Sequence, residues 1–184
     1  MKRADHFTKE TNLIQLGVGF DDKTGAISVP IYPSATYRHP GVGESTGYDY
    51  TRSGNPTRQV LENGLAELEG GSRGLAFSSG MAALTTFFLH FSQGDHLIVS
   101  EDLYGGTYRV LDQIFANFGL TVSYVNTTDT EAVAAAISDQ TRALLVETPG
   151  NPLLGISDLA ALGKLCQQHE ILFAVDNTFL SPLL

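Results

Sequence analysis

Three short stretches of the sequence carry side chains that could bind a planar, phosphorylated ligand. Ser79 belongs to the stretch SSGMAA, Tyr104 precedes two glycines, and Asp176 ends the apolar run ILFAV. Backbone N–H groups at a Ser-Gly helix start attract phosphate, and an aromatic ring beside a glycine turn can lie flat on a planar ligand. A carboxylate at the end of a buried strand needs a cationic partner, such as a protonated ring nitrogen.

Each stretch also has a simpler structural interpretation. SSGMAA could be an ordinary tight turn that needs glycine, and Tyr104 could be a core tyrosine. Asp176 could cap a local turn through Asn177 and Thr178. Neither a Walker loop nor a dinucleotide fingerprint follows a predicted strand. From these residues alone both interpretations stay open.

Strands and helices alternate along most of the chain. Apolar runs predict five strands, at 75–78, 96–101, 121–126, 142–148 and 171–176. The runs are apolar on both faces, which favours a mainly parallel α/β sheet with helices on both faces. Ligands of such sheets bind beyond the C-terminal ends of the strands. We therefore expect Ser79, Tyr104 and Asp176 to meet there.

Helix boundaries and the domain division follow from local signals. Pro56 opens a helix that Gly70-Gly71 ends. The spacing of Thr128 and Glu131 predicts a capping box, and Ser157 is predicted to start a later helix. Residues 1–55 carry little helical periodicity and are predicted to be an extended N-terminal arm and inter-subunit loop, followed by an α/β domain at 56–184.

Composition limits the partners and the compartment. With 11 basic and 20 acidic residues the net charge is −9, which argues against nucleic acid and anionic membranes as main partners. The chain has no apolar run of transmembrane length, and its N-terminus does not resemble a signal peptide. The single cysteine, Cys166, fits a reducing compartment. We predict a cytoplasmic protein, and no metal site.

Five motifs in their order along the chain carry a family resemblance. They are YDYTRSGNPT (48–57), AFSSGMAA (76–83), DLYGGTYR (102–109), ETPGNPLL (147–154) and AVDNTF (174–179). From about residue 12 onward the chain resembles the Cys/Met metabolism, or trans-sulfuration, enzymes that use pyridoxal 5'-phosphate (PLP). This group includes cystathionine γ-synthase, the cystathionine lyases and O-acetylhomoserine sulfhydrylase. HPGVGESTGYDY is most similar to the synthase and sulfhydrylase branch.

The resemblance implies a fold, an assembly and a set of site residues. The fold would be the large domain of the aspartate aminotransferase-like PLP-dependent transferases (fold type I), and the assembly a homotetramer built as a dimer of dimers. The implied cofactor-binding residues are Tyr50, Arg52, Ser79, Gly80, Met81, Tyr104, Asn151, Asp176 and Thr178.

The resemblance also assigns a role to most of these residues. Gly80 and Met81 would give backbone N–H groups to the phosphate, and Tyr50 and Arg52 would reach it from the adjacent subunit. Tyr104 would stack on the pyridine ring and assist proton transfer. Asn151 would lie near the phenolic oxygen of the cofactor and the substrate. Asp176 would pair with the nitrogen of the pyridine ring, and Thr178 would lie beside that ring. Position 150 is Gly, where Ser, Thr or Ala is more usual in the family.

The resemblance further implies that the chain is an N-terminal fragment. Members carry a Ser-x-Thr-Lys motif, whose lysine forms the Schiff base, shortly after the segment that matches DNTFLSPLL, and then a C-terminal domain. This chain has only Lys2, Lys9, Lys23 and Lys164, and Lys164 has the pattern of a solvated helix lysine. We therefore expect the chain alone to be inactive.

Three functions remain open at this point. The parent protein is expected to catalyse γ-replacement on an O-acyl-homoserine, giving cystathionine or homocysteine. The second possibility is a cystathionine γ- or β-lyase. The third is a short, non-catalytic subunit that associates with full-length homologues and lends them Tyr50 and Arg52.

Overall fold

The computed structural model describes residues 7–18 and 24–182. Their contacts group into two compact units, which divide between Ala76 and Phe77. The helix that begins at Pro56 therefore groups with the preceding segment. The domain boundary near residue 55 stays a prediction. Lys2 and Lys23 lie outside the described residues.

The first unit contains two helices, α1 (Lys9–Ile14) and α2 (Pro56–Leu68). The predicted start of α2 at Pro56 is confirmed, and Asn55 caps it by accepting from the N–H groups of Thr57 and Arg58. The Asn55 amide also donates to the Tyr32 carbonyl oxygen at 2.9 Å and to the Thr51 hydroxyl at 2.6 Å. One side chain thus fixes both the helix start and the loop in front of it.

The second unit contains a parallel sheet of four strands and four α-helices. The strands are β1 (His96–Ser100), β2 (Thr121–Val125), β3 (Thr141–Glu147) and β4 (Leu172–Asp176). The helices are α3 (Gly80–Phe88), α4 (Gly105–Gln113), α5 (Thr130–Ala136) and α6 (Leu159–Gln168), with a 3₁₀ turn at Phe115–Phe118. The strand order is β2-β1-β3-β4, and every pairing is parallel. The predicted α/β class and parallel sheet are confirmed.

Alternate residues of the inner strands face opposite sides of this sheet, as strand geometry requires. Leu97, Val99 and Leu145 pack with Leu111 of α4 on one side. A second buried cluster joins the strands to α5 and α6, and it consists of Ile98, Val133, Leu144, Val146, Leu162 and Cys166. The sheet is therefore covered by helices on both faces, and β1 and β3 form its buried centre.

The strand predicted at 75–78 is absent, which corrects the sequence reading. Leu75 is 61% exposed, and the backbone N–H of Ala76 donates to the Glu62 carboxylate at 3.0 Å. A strand exists only where its backbone groups pair with a neighbour. Here a side chain takes that role within the first unit.

Two predicted helix starts are shifted by one residue. Asp129, rather than Thr128, caps α5, and Asp158, rather than Ser157, caps α6. The Thr128 hydroxyl donates instead to the Asn126 side chain at 2.7 Å. Ser157 is buried, and its hydroxyl is 2.9 Å from that of Thr127. Adjacent carboxylates therefore became the caps, since aspartate accepts from helix N–H groups at least as well as serine or threonine.

Candidate functional site

A cavity of about 400 Å³ lies within the second unit at the C-terminal ends of β3 and β4 and the N-terminus of α3. Its lining residues are Ser79, Gly80, Met81, Leu84, Tyr104, Glu147, Asn151, Asp176, Thr178 and Phe179. Seven of the nine residues predicted to bind the cofactor are among them. Parallel strands end at one edge of a sheet, so residues far apart in sequence meet there.

The N-terminus of α3 forms an anion-binding corner of the cavity. Ser79 is the N-cap, and its hydroxyl oxygen accepts from the N–H of Ala82 at 3.1 Å. The first N–H groups of a helix, here those of Gly80 and Met81, have no acceptor within the helix. Together with the helix dipole they favour a negatively charged group. A Cβ added at Gly80 would meet nothing within 4 Å, so the corner is open.

Tyr104 occupies the position just before α4, and its side chain is 49% exposed. The ring lies against Gly106, where an added Cβ would clash with Tyr104 Cε1 and lie 3.0 Å from Met81 Sδ. Gly106 thus leaves room for the ring to lie close to the backbone. The alternative that Tyr104 is a core tyrosine is wrong, because the residue is half-exposed and lines a cavity.

Asp176 ends β4 and is partly buried. Its Oδ1 atom accepts from the backbone N–H of Thr178 at 3.1 Å and from the Thr178 hydroxyl. These two hydrogen bonds confirm the simpler interpretation, in which the Asp176 carboxylate caps a local turn. It does not exclude a ligand, because a carboxylate has two oxygens and about four acceptor positions.

The loop that carries Asn151 is fixed by Asp102. Asp102 Oδ2 accepts from the N–H of Leu153 at 3.0 Å. A Cβ added at Gly150 would lie 2.6 Å from Asp102 Oδ2 and 3.0 Å from the Asp102 carbonyl oxygen. The glycine at position 150, which departs from the family pattern, thus allows the loop to approach Asp102 closely.

Glu147 is a cavity residue that the sequence reading missed. It ends β3 directly opposite Asp176 of β4, and its Oε2 accepts from the backbone N–H of Tyr104 at 2.7 Å. Burial raises the pKa of Glu147, and the nearby charges of Asp176 and Asp102 raise that pKa further, against the lowering effect of the Tyr104 hydrogen bond. It lies one residue before the end of the strand predicted at 142–148, and an acid at that place in an apolar run was a signal that could have identified it.

The other two predicted residues, Tyr50 and Arg52, belong to the first unit. The guanidinium carbon of Arg52 lies 4.9 Å from the centroid of the Tyr50 ring, which is a cation–π distance. Tyr50 forms an isolated antiparallel bridge with Thr36. Their proposed reach toward a neighbouring subunit stays a prediction.

Lys164 lies exposed in α6 and is not among the residues that line the cavity. This agrees with its interpretation as a solvated helix lysine. Within residues 7–18 and 24–182, no group of three or more His, Cys, Asp or Glu side chains is arranged to hold a metal ion. No helix of that part of the chain is long and apolar enough to cross a membrane.

A parallel α/β sheet with an anion-binding corner, an exposed ring and an acid at its strand ends agrees with the class of PLP-dependent enzymes that the motifs predict. The profile of the Cys/Met metabolism PLP-dependent enzymes matches residues 10–184. The chain belongs to this family. The cofactor of the family is pyridoxal phosphate, as the motifs implied.

Individual relatives agree with this assignment. The chain is 50% identical over 175 residues to a Bacillus subtilis cystathionine γ-synthase/O-acetylhomoserine (thiol)-lyase, covering 95% of this chain and 47% of that protein. It is 47% identical to a B. subtilis cystathionine γ-lyase, covering 95% of this chain and 46% of that protein. The crystal structure of cystathionine γ-lyase from Lactobacillus plantarum, complexed with L-serine, aligns with a TM-score of 0.91 at 50% identity, covering 96% of this chain and 46% of that one. The chain thus spans about half the length of these relatives.

The cavity fits pyridoxal phosphate in size and in chemistry. Its volume of about 400 Å³ lies within the usual range for small-molecule sites. The helix start at Gly80 suits a phosphate, the Tyr104 ring suits a planar heterocycle, and the Asp176 carboxylate suits a protonated ring nitrogen. These groups line one continuous surface, so a single cofactor could contact all three.

Proposed function

We propose that these 184 residues are the cofactor-binding N-terminal part of a γ-replacement enzyme that acts on an O-acyl-homoserine to give cystathionine or homocysteine. The observation that carries the proposal is the single cavity that joins the α3 N-terminus, Tyr104 and Asp176. The similarity to the B. subtilis synthase and thiol-lyase supports the choice of reaction. The parent protein is proposed to be cytoplasmic and to work as a homo-oligomer, a dimer of dimers.

The seven predicted residues that line the cavity then have proposed tasks. The N–H groups of Gly80 and Met81 bind the phosphate, and Ser79 keeps that helix start in place. Tyr104 covers the ring plane and holds or moves a proton at its hydroxyl. Asp176 keeps the pyridine nitrogen protonated, because a carboxylate at hydrogen-bond distance favours the cationic form.

Two further residues of the cavity orient the ligands. Asn151 is proposed to contact the phenolic oxygen of the cofactor and the amino-acid substrate. Thr178 is proposed to lie beside the cofactor ring, and its N–H and hydroxyl orient Asp176. When bound, PLP supplies the electron sink for carbanion chemistry. Tyr50 and Arg52 are proposed to bind the phosphate of an adjacent subunit, where a guanidinium can form paired hydrogen bonds.

Cystathionine cleavage is the second candidate reaction. The B. subtilis γ-lyase is nearly as similar to this chain as the synthase is, at 47% against 50% identity. The two reactions share the cofactor and differ in the group that leaves and the group that attacks. The described cavity therefore serves either.

A cofactor titration tests the first part of the proposal. Purified 184-residue chain is mixed with PLP, binding is followed by absorbance and fluorescence, and the mixture is then reduced with borohydride for intact-mass analysis. We expect saturable binding and no stoichiometric lysine adduct, because none of the described residues that line the cavity is a lysine. Absence of binding would contradict the proposed site, and a stoichiometric adduct would contradict the proposed inactivity of the chain.

The reaction is tested on the protein encoded by the complete reading frame that contains these residues. It is supplied with O-acetyl- or O-succinyl-homoserine plus cysteine or sulfide, and separately with cystathionine alone. Formation of cystathionine or homocysteine supports γ-replacement, whereas release of pyruvate or 2-oxobutanoate from cystathionine supports a lyase. A reading frame that ends at Leu184 would instead favour the non-catalytic subunit.

A further inference from the structure

The start of α4 is held by a side chain from another part of the unit. Tyr104 occupies the N-cap position but makes no side-chain capping bond of its own. Its backbone N–H donates to Glu147 Oε2 at 2.7 Å, across 43 residues of sequence. The Glu147 carboxylate also lies at the N-terminus of α4, which is the positive end of the helix dipole. Glu147 therefore satisfies both the backbone donor and the dipole at the residue that carries the ring.

Glu147 is itself firmly placed. Its backbone N–H donates to the hydroxyl of Ser100 at 3.1 Å, and Ser100 is 2% exposed. The Ser100 hydroxyl is in turn 2.9 Å from that of Thr127. Glu147 also pairs with Asp176 in the register of β3 and β4. The carboxylate thus extends from the partly buried end of a strand that is paired on both sides.

The Tyr104 ring has few other constraints on its position. It is 49% exposed and contacts Gly106, which offers backbone only. The ring is attached to Tyr104 Cα through χ angles that occupy a few preferred values, so a shift of the backbone carries the ring with it. Movement of the helix start would consequently move the ring in the cavity.

We propose that Glu147 is a positioning residue for Tyr104: its carboxylate holds the backbone N–H at the start of α4 and so places the ring over the cofactor cavity. The inference rests on the proposed function, since the placement of the ring matters only if a planar cofactor lies beneath it. Glu147 acts through Tyr104 and is not assigned a contact with the reacting atoms.

The test follows the Tyr104 amide directly in the 184-residue chain. Its hydrogen exchange rate is measured by NMR in wild type and in Glu147→Ala, Glu147→Asp and Glu147→Gln. We expect about a tenfold or greater acceleration in the Ala and Asp variants, because the acceptor is lost or falls one carbon short. Gln keeps an acceptor oxygen at the same reach, so most of the protection should remain.

Glu101→Gln is the matched control, because Glu101 is an exposed glutamate near the end of β1. It should leave the Tyr104 amide unchanged. Exchange of the buried Val99 and Leu145 amides reports whether each variant is folded. If Glu147→Ala does not fold, the contrast between Asp and Gln decides. Unchanged exchange at Tyr104 in folded Glu147→Asp and Glu147→Ala would overturn the inference.

A PLP titration of the same variants links the contact to the site. We expect Glu147→Asp to bind PLP about tenfold more weakly than wild type, and Glu147→Gln to bind within about threefold of wild type. Loss of Tyr104 protection without any change in PLP affinity would overturn the positioning role. If wild type itself does not bind PLP, the proposed function fails, and the exchange data still show whether Glu147 holds Tyr104.

Discussion

The strand-end cavity and the arm loop carry predicted residues for the same cofactor, yet they are built differently. Around the cavity, Glu147 and Asp176 are fixed by a parallel ladder next to buried strands. In the arm, Tyr50 belongs to no ladder: it forms an isolated bridge to Thr36, makes local contacts with Arg52 and Ser53, and is 40% exposed. Hydrogen bonds from the Asn55 side chain hold the loop near it.

The difference between the two regions shows what fixes the position of a site residue. A residue at the end of a buried strand takes its position from a ladder that many contacts support, so one substitution rarely moves it. A loop held by a few side-chain bonds has a low local stability and opens more easily. We therefore expect the second unit to carry most of the cooperative stability, and the arm to be sensitive to the loss of Asn55.

The largest effect is expected from the core of the sheet. Leu144 belongs to β3 and is fully buried against the helices α5 and α6. Leu144→Ala should lower the free energy of unfolding of the second unit by about 2–5 kcal/mol. Denaturant unfolding followed by circular dichroism measures it. A loss below about 1 kcal/mol would show that this sheet is not the stable part of the chain.

The matching substitution in the arm is Asn55→Ala. It removes the cap of α2 and three further hydrogen bonds, to Tyr32, Tyr37 and Thr51, so we expect a loss of about 1–2 kcal/mol confined to the first unit. Amide exchange should accelerate in α2 but not at Val99. An equal acceleration in both units would mean that the two regions unfold together, which would remove the contrast between them.

Within the cavity, Asp176→Ala should have the largest effect on the cofactor. Removal of the acid should weaken PLP binding by about 10- to 150-fold, since hydrogen bonds to charged groups contribute about 1.5–3 kcal/mol. The control is Asp139→Ala, an exposed aspartate outside the cavity lining. Equal affinity of the two variants would argue that Asp176 serves only the turn with Thr178.

Gly106→Ala tests the contact between the Tyr104 ring and Gly106 without changing a polar side chain. The added methyl would clash with the Tyr104 ring and crowd Met81, so the ring must move. We expect PLP affinity to fall by about tenfold with little change in melting temperature, because the ring is half-exposed and can swing outward. A large loss of stability with unchanged affinity would contradict this placement of the ring.

The smallest effect concerns the pH dependence of Glu147. Because its pKa is raised in the folded state, its ionisation costs stability, and this cost develops as pH rises from its ordinary value of 4.5 through the raised value. Glu147→Gln removes the cost. Relative to wild type, its melting temperature should be higher at about pH 7 than at about pH 4. A variant that is relatively more stable at the lower pH would show that hydrogen bonding outweighs burial.

The sequence alone determined the class of fold and which residues would line most of the cavity. Four of the five predicted strands occur within a residue or two of their predicted bounds, because apolar runs bounded by polar residues specify buried strands. The ends of those strands located Tyr104, Asn151 and Asp176, since a parallel sheet brings its C-terminal ends together. The motifs identified the family, which the profile match confirmed.

Only the tertiary structure decided which hydrogen bonds join distant segments, because those bonds depend on which groups packing brings together. Nothing in the run LAFS shows that Ala76 would bond to Glu62 rather than to a strand. Nothing near Tyr104 in sequence shows that Glu147 would accept its backbone N–H. Local patterns fix which segments are buried, because burial depends on the composition of each segment. Hydrogen-bond partners between distant segments are fixed only when packing brings buried donors and acceptors together and leaves them no water.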